Sequence, residues 1–174
     1  TPASAPTSRA HRPPQLTTRP VALHALIDEV LDLYASDQRL SLTRQFMDGE
    51  PMVKVDAVRL RQAMHNLLKN ALEAIGETRK PQILVRTAPH HDGDAAWVDI
   101  SVADNGPGLP EGFGDRWFEP YISSKARGTG LGLAVVRKIA EEHGGSVSAR
   151  QREGGGAEFT LRLPLGLNAG TGAG

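Results

Sequence analysis

Three stretches of this sequence carry residue types whose spacing could do chemistry. In HNLLKNALEAI (His65 to Ile75), Asn66, Asn70 and Glu73 recur at i, i+4 and i+7, which on a helix brings them within about 60° of one another. A carboxamide oxygen there can reach a divalent cation, which takes oxygen ligands and keeps several waters. The same pattern also fits an ordinary amphipathic helix with exposed amides. In DNGPGLP (Asp104 to Pro110), Asp104 closes the β-type run ISVAD and is followed by glycines at 106 and 108. Such a turn projects one acid into a cleft, and an ionised carboxylate only accepts hydrogen bonds, so it suits a ligand edge that donates, such as an exocyclic amine. D-N-G is equally a common turn sequence. In KARGTGLGLAVV (Lys125 to Val136), Gly128, Gly130 and Gly132 lead into an apolar helical pattern. Unpaired N–H groups and the positive dipole end meet at a helix start, and glycine lets an anion approach closely, the chemistry of a phosphate corner. A flexible loop capping a helix is the plainer alternative. The spacing matches neither a P-loop nor a dinucleotide-binding G-x-G-x-x-G.

Elements of both periodicities must position these groups. A helix is expected from Leu23 to Tyr34 and strands at Arg39 to Phe46 and Met52 to Val55. Asp56 stands as an N-cap before a long helix whose apolar stripe is Leu60, Ala63, Met64, Leu67, Leu68, Ala71 and Ile75, with Gly76 as its stop. Consecutive strands at Ile83–Thr87 and Trp97–Ala103 are joined by a turn in HHDGD. A helix from Leu131 to His143 and strands at Ser146–Arg150 and Glu158–Leu163 follow.

Residues 1–18 have linker composition, rich in Pro, Ser and Thr, and are read as a linker or an expression remnant. The ordered domain is expected over residues 19–165, and residues 166–174 (GLNAGTGAG) read as a flexible tail. The chain of 174 residues has 20 basic and 20 acidic residues, so no bulk field draws it to nucleic acid or an anionic membrane. It contains no cysteine, which excludes disulfides and thiolate chemistry and fits a cytoplasmic location. No apolar run approaches the ~18 residues that a membrane-spanning helix needs.

In this order, the amide helix, the strand-end Asp and the glycine-rich helix start resemble the N, G1 and G2 boxes of the GHKL (Bergerat-fold) ATP-binding domains. WFEPYISSK (Trp117 to Lys125) resembles the F box of sensor histidine kinases within that family, and FEPYISSK followed by GTGLGL is closest to the nitrogen-regulation type. The resemblance covers residues 19–165. It implies an α/β two-layer sandwich: a mixed sheet, helices packed on one face, and a mobile ATP lid. It implies ATP and Mg²⁺ as cofactors, with Asn70 as metal ligand and Asn66 lining the same site. Asp104 would bind the adenine amine, and Gly106 and Gly108 would shape that pocket. Lys125 would meet the phosphates, and Gly128, Thr129, Gly130, Leu131, Gly132 and Leu133 would cradle them. Trp117 and Phe118 would anchor the lid. Catalysis would rest on Asn66, Asn70 and Lys125.

Hydrolytic members of the family keep a glutamate one helical turn before the metal asparagine, and here that position is Asn66. The resemblance therefore implies a kinase that delivers the γ-phosphoryl group to a histidine on a separate helical dimerisation domain, with a response-regulator receiver downstream. The alternatives are a serine-directed kinase of the anti-sigma-factor type and a non-catalytic ATP-responsive module. Two departures stand out: Ala157 lies where many relatives have a threonine, and no H-E-x-x-N-P-like acceptor motif occurs. His11 falls in the linker, His90 and His91 in the expected turn, and His24, His65 and His143 at ordinary helix positions.

Overall fold

A computed structural model describes residues 15–78, 80–111, 114–120 and 131–165. Strand β1 (Arg19–Ala22) leads directly into helix α1 (Leu23–Asp32), followed by β2 (Ser41–Gln45), β3 (Met52–Val55) and α2 (Ala57–Ile75). Next come the long hairpin β4 (Gln82–Asp92) and β5 (Ala95–Asp104), a 3₁₀ turn (Gly114–Phe118), α3 (Gly132–Glu142), β6 (Ser146–Gln151) and β7 (Ala157–Pro164). Strands β2-β4-β5-β7-β6 form one five-stranded sheet, and β1 pairs separately with β3. The β2–β4 pair is parallel and the other pairs of the large sheet are antiparallel, so the sheet is mixed as expected.

Strand periodicity dictates how this sheet meets the helices. Val85, Val102 and Phe159 stand in one cross-strand row, Thr87, Ile100 and Leu161 in the next, and Val98 pairs with Leu163. All are buried in one core with the α2 stripe Leu60, Met64, Leu67, Leu68 and Ile75. The opposite face carries polar pairs such as Ser101 Oγ with Thr160 Oγ1 at 3.0 Å and Arg162 with Asp99 at 2.7 Å. Successive side chains alternate across a sheet, so one face goes to the helices and the other to water.

A carboxylate meets the starts of α1 and α2, whereas α3 has no side-chain cap at Leu131. Asp56 Oδ1 accepts from the N–H groups of Val58 and Arg59 at 3.1 and 3.2 Å, the expected cap of α2. Helix α1 has no side-chain cap at Ala22; instead Glu50 Oε1, from the β2–β3 connection, accepts from the N–H groups of His24 and Ala25. Local sequence could not foresee that long-range cap, nor β1, whose pairing energy comes from β3. The β4–β5 hairpin also runs further than expected. His90 and His91 lie on β4 opposite Trp97 and Ala96, and the turn is confined to Gly93 and Asp94, Gly93 taking φ 58°. A two-residue turn with a positive φ lets the ladder continue to its tip. Pro89 fits there because β2 pairs β4 only over Gln82–Arg86, leaving that stretch an edge.

Candidate functional site

Residues 98, 100 and 102 of β5 face the helices, so strand parity turns Asp104 to the same face. A carboxylate thereby arrives at the end of an apolar row and is 0% exposed. Its Oδ1 accepts from Gly106 N–H at 2.9 Å and Ala157 N–H at 3.4 Å, and neither bond uses Oδ2. Burial of a carboxyl is tolerated where backbone N–H groups meet it.

The turn after Asp104 is fixed from several sides. Asn105 Oδ1 accepts from Gln82 N–H at 2.8 Å and its Nδ2 donates to Lys80 O at 2.7 Å, fastening the turn to the start of β4. Gly106 lies against the end of α2, where a Cβ would sit 2.6 Å from Ala74 O. Gly108 takes φ 87°, and the next N–H, that of Leu109, donates to Gln151 Oε1 at 2.7 Å. Gly156, just before β7, passes so close that a Cβ would lie against Asp104 O, 2.8 Å from the carbonyl carbon. Arg152 Nη1 donates to that same Asp104 carbonyl at 2.8 Å.

Helix α2 runs from this turn to the second corner. Asn66, Asn70 and Ala74 are spaced i, i+4 and i+8, a single stripe about 12 Å long. At one end lies Ala74, against Gly106. At the other, Asn66 Nδ2 donates to Gly132 O at 3.3 Å, joining α2 to the first turn of α3. Asn70 sits between them, half-buried. Among the described residues no group of three or more His, Cys, Asp or Glu could hold a metal. A cation here would take one or two protein oxygens and complete its shell from a ligand's phosphates and water, which is the habit of Mg²⁺.

The described residues cover the start of α3 lightly. Leu131 is 39% exposed, and nothing lies within 4 Å of where a Cβ on Gly132 would be. Leu133 turns into the core. Trp117 and Phe118 are buried below it, Phe118 meeting Phe159 edge-to-face at 6.1 Å. Lys125, Gly128, Thr129 and Gly130 lie outside the described residues, as does the Tyr121–Lys125 part of WFEPYISSK and the lid expected there.

The histidines of α1, α2 and the α3 end are engaged. His65 Nδ1 pairs with Tyr34 Oη at 2.9 Å, and burial pushes the Tyr34 phenol up from its ordinary value. His24 bonds Thr87 Oγ1 at 2.8 Å and stacks on Phe46. His143 Nε2 accepts from Asp56 N–H at 3.0 Å. Sequence reasoning did not single out Asn105, Gln151, Arg152 or Gly156. The one local signal that could have found Gly156 is the Gly-Gly-Gly run before Ala157, since glycine in or beside a strand marks a close backbone approach.

The sequence from residue 55 to 167 matches the family model described as histidine kinase-, DNA gyrase B- and HSP90-like ATPase. The chain is 38% identical over 159 residues to the sensor histidine kinase ZraS of Escherichia coli K12, covering 90% of this chain and 33% of ZraS. It is 34% identical to the C4-dicarboxylate transport sensor protein DctS of Rhodobacter capsulatus, covering 88% of this chain and 23% of DctS. The chain thus spans a third or less of these relatives. In structure it is similar to the catalytic domain of histidine kinase ThkA, with a TM-score of 0.75 at 30% identity, covering 85% of this chain and 95% of that one. It also matches ThkA in complex with the response regulator protein TrrA, at a TM-score of 0.71 and 29% identity, covering 87% of this chain and 42% of that one.

Proposed function

Since the chain belongs to the family of histidine kinase-, DNA gyrase B- and HSP90-like ATPases, we propose that it binds Mg·ATP and donates the γ-phosphoryl group to a histidine on a separate helical dimerisation and phosphoacceptor domain. It is the catalytic part of a two-component sensor kinase working in the cytoplasm, and the phosphoryl group passes on to a response-regulator receiver domain. No helix among the described residues is long and apolar enough to cross a membrane. The wording FEPYISSK and GTGLGL supports a place near the nitrogen-regulation type.

One observation carries the choice of a kinase over a hydrolase. The position one turn before Asn70 holds an amide whose Nδ2 donates to Gly132 O. A carboxylate could not make that bond, and an amide cannot serve as general base toward water. The resulting site binds and orients without activating water. Asp104 accepts from the adenine amine, in a pocket shaped by Gly106 and Gly108. Asn70 would supply a protein oxygen to Mg²⁺, which when bound offsets the charge of the phosphates. Lys125 and the glycine-rich run Gly128 to Leu133, which leads into α3, would meet the phosphates, as a helix start suits an anion. Placement and charge neutralisation supply most of the catalysis in phosphoryl transfer.

The test uses ATP labelled in the γ-phosphate. The chain alone is expected to bind Mg·ATP with neither appreciable self-labelling nor steady hydrolysis. Supplying the matching helical histidine domain in trans should yield an acid-labile, base-stable phosphoprotein, formed slowly because no tether raises the effective concentration. Brisk hydrolysis by the chain alone would place it among the ATPases, and an acid-stable phosphoserine would establish serine-directed transfer.

A further inference from the structure

We propose that Arg152 is a positioning residue for the base pocket: its guanidinium grips the Asp104 main chain and so aims the Asp104 carboxylate. The proposal rests on the reading that Asp104 meets the base. The β5–β7 ladder runs from Trp97 opposite Pro164 to Ala103 opposite Glu158, so Asp104 lies one residue beyond its last pair. Arg152 Nη1 donates to the Asp104 carbonyl at 2.8 Å, across 48 residues of sequence.

The grip is itself anchored. The β6–β7 ladder ends with Gln151 opposite Ala157, and Arg152 is the next residue. Its own N–H donates to Gly156 O at 2.9 Å, closing the turn through Glu153, Gly154 and Gly155, and its carbonyl accepts from Gly155 N–H at 3.3 Å. Gly156 packs against the carbonyl that Arg152 holds, leaving no room for that carbonyl to swing toward β7. The neighbouring Gln151 holds Leu109 N–H, so one hairpin fixes both ends of the Asp104–Leu109 turn. A guanidinium stays charged at any relevant pH and donates along fixed directions, which suits it to hold one carbonyl in one place. A carboxylate displaced by even half an ångström loses its hydrogen-bond geometry to a bound base.

The experiment measures binding of Mg·ATP and Mg·GTP to the full chain by calorimetry for wild type, Arg152→Met, Arg152→Gln, Arg152→Lys and Asp104→Asn. It also measures Arg152→Met in the Asp104→Asn background, with thermal melts of every variant. Wild type should prefer ATP, and Asp104→Asn should lose at least about tenfold in ATP affinity, the scale of one charge-assisted hydrogen bond. Arg152→Met and Arg152→Gln should lose about fivefold to tenfold for ATP and much less for GTP, narrowing the preference, and Arg152→Lys should recover part of it. In the Asp104→Asn background the Arg152→Met change should have less than about twofold effect, because the two residues act through one contact. Equal losses for ATP and GTP, full additivity with Asp104→Asn, or an unchanged preference in both neutral variants would overturn the proposal. Wild type without an ATP preference, or Asp104→Asn without effect, would instead overturn the base-pocket assignment beneath it. Should Arg152→Met not fold, Arg152→Gln, polar at a half-buried position, decides the question.

Discussion

The two corners of the site are built in opposite ways. Around Asp104 the backbone is gripped by Asn105 toward β4, by Ala74 of α2, by Gln151 and Arg152 of the β6–β7 hairpin and by Gly156 just before β7. At the start of α3, Asn66 of α2 donates to Gly132 O at 3.3 Å, and no described residue lies within 4 Å of where a Cβ on Gly132 would be. A buried acid works only if it is held in one direction, since both its desolvation and its selectivity depend on geometry. A helix start binds anions by a diffuse field and by several N–H groups, which tolerates an open approach. Among the described residues, then, the Asp104 turn is fixed from several sides and the start of α3 is held by fewer contacts.

The largest expected effect breaks this comparison at its centre. Gly156→Ala forces a Cβ against the Asp104 carbonyl at φ 93°, and should destabilise the fold by about 3 kcal/mol or more from strain and overpacking together. Gly132→Ala meets nothing within 4 Å, and should be neutral or stabilising by up to about 1 kcal/mol. Urea denaturation of both variants compares the corners directly; similar losses would show that they are equally closed.

Next in size is Asn70→Ala, which sharpens the phosphate side. Affinity for Mg·ATP should fall about tenfold or more, while affinity for metal-free ATP should change by less than about twofold, as a lost metal ligand requires. Titrations with and without Mg²⁺ decide it, and an equal loss in both would show that Asn70 is not a metal ligand.

The smallest effect is expected far from both corners. The Thr17 N–H, with those of Arg59 and Val58, holds the Asp56 carboxyl below the usual carboxylate range. A depressed folded-state value contributes stability that is present above the ordinary range and lost as pH falls through the lowered value. Wild type should therefore lose its advantage over Asp56→Asn, which keeps a capping oxygen, only below about pH 4. The difference at neutral pH should be no more than about 1 kcal/mol, because the group is half-exposed and screened. Melts across pH 2–7, on the order of one per unit, would show it. Nucleotide affinity should not move, and if it did, the start of α2 would be coupled to the site.

Much of this molecule was legible in one dimension. The α2 stripe from Leu60 to Ile75 and its Asp56 cap followed from helical spacing and local capping chemistry. The β-type run ISVAD placed Asp104 at a strand end before a glycine turn, as observed. These are properties of neighbours in sequence, so the sequence by itself determined them. What surrounds Asp104 was not legible, because Asn105, Gln151, Arg152 and Gly156 acquire meaning only when hairpins distant along the chain close on one turn. Glu50 capping α1 and β1 pairing with β3 are of the same kind. Hydrophobic periodicity and capping are encoded by types at fixed spacing. The direction of a buried carboxylate is set by backbone groups that only the assembled sheet brings within 3 Å, as it does Arg152 Nη1 and the Asp104 carbonyl.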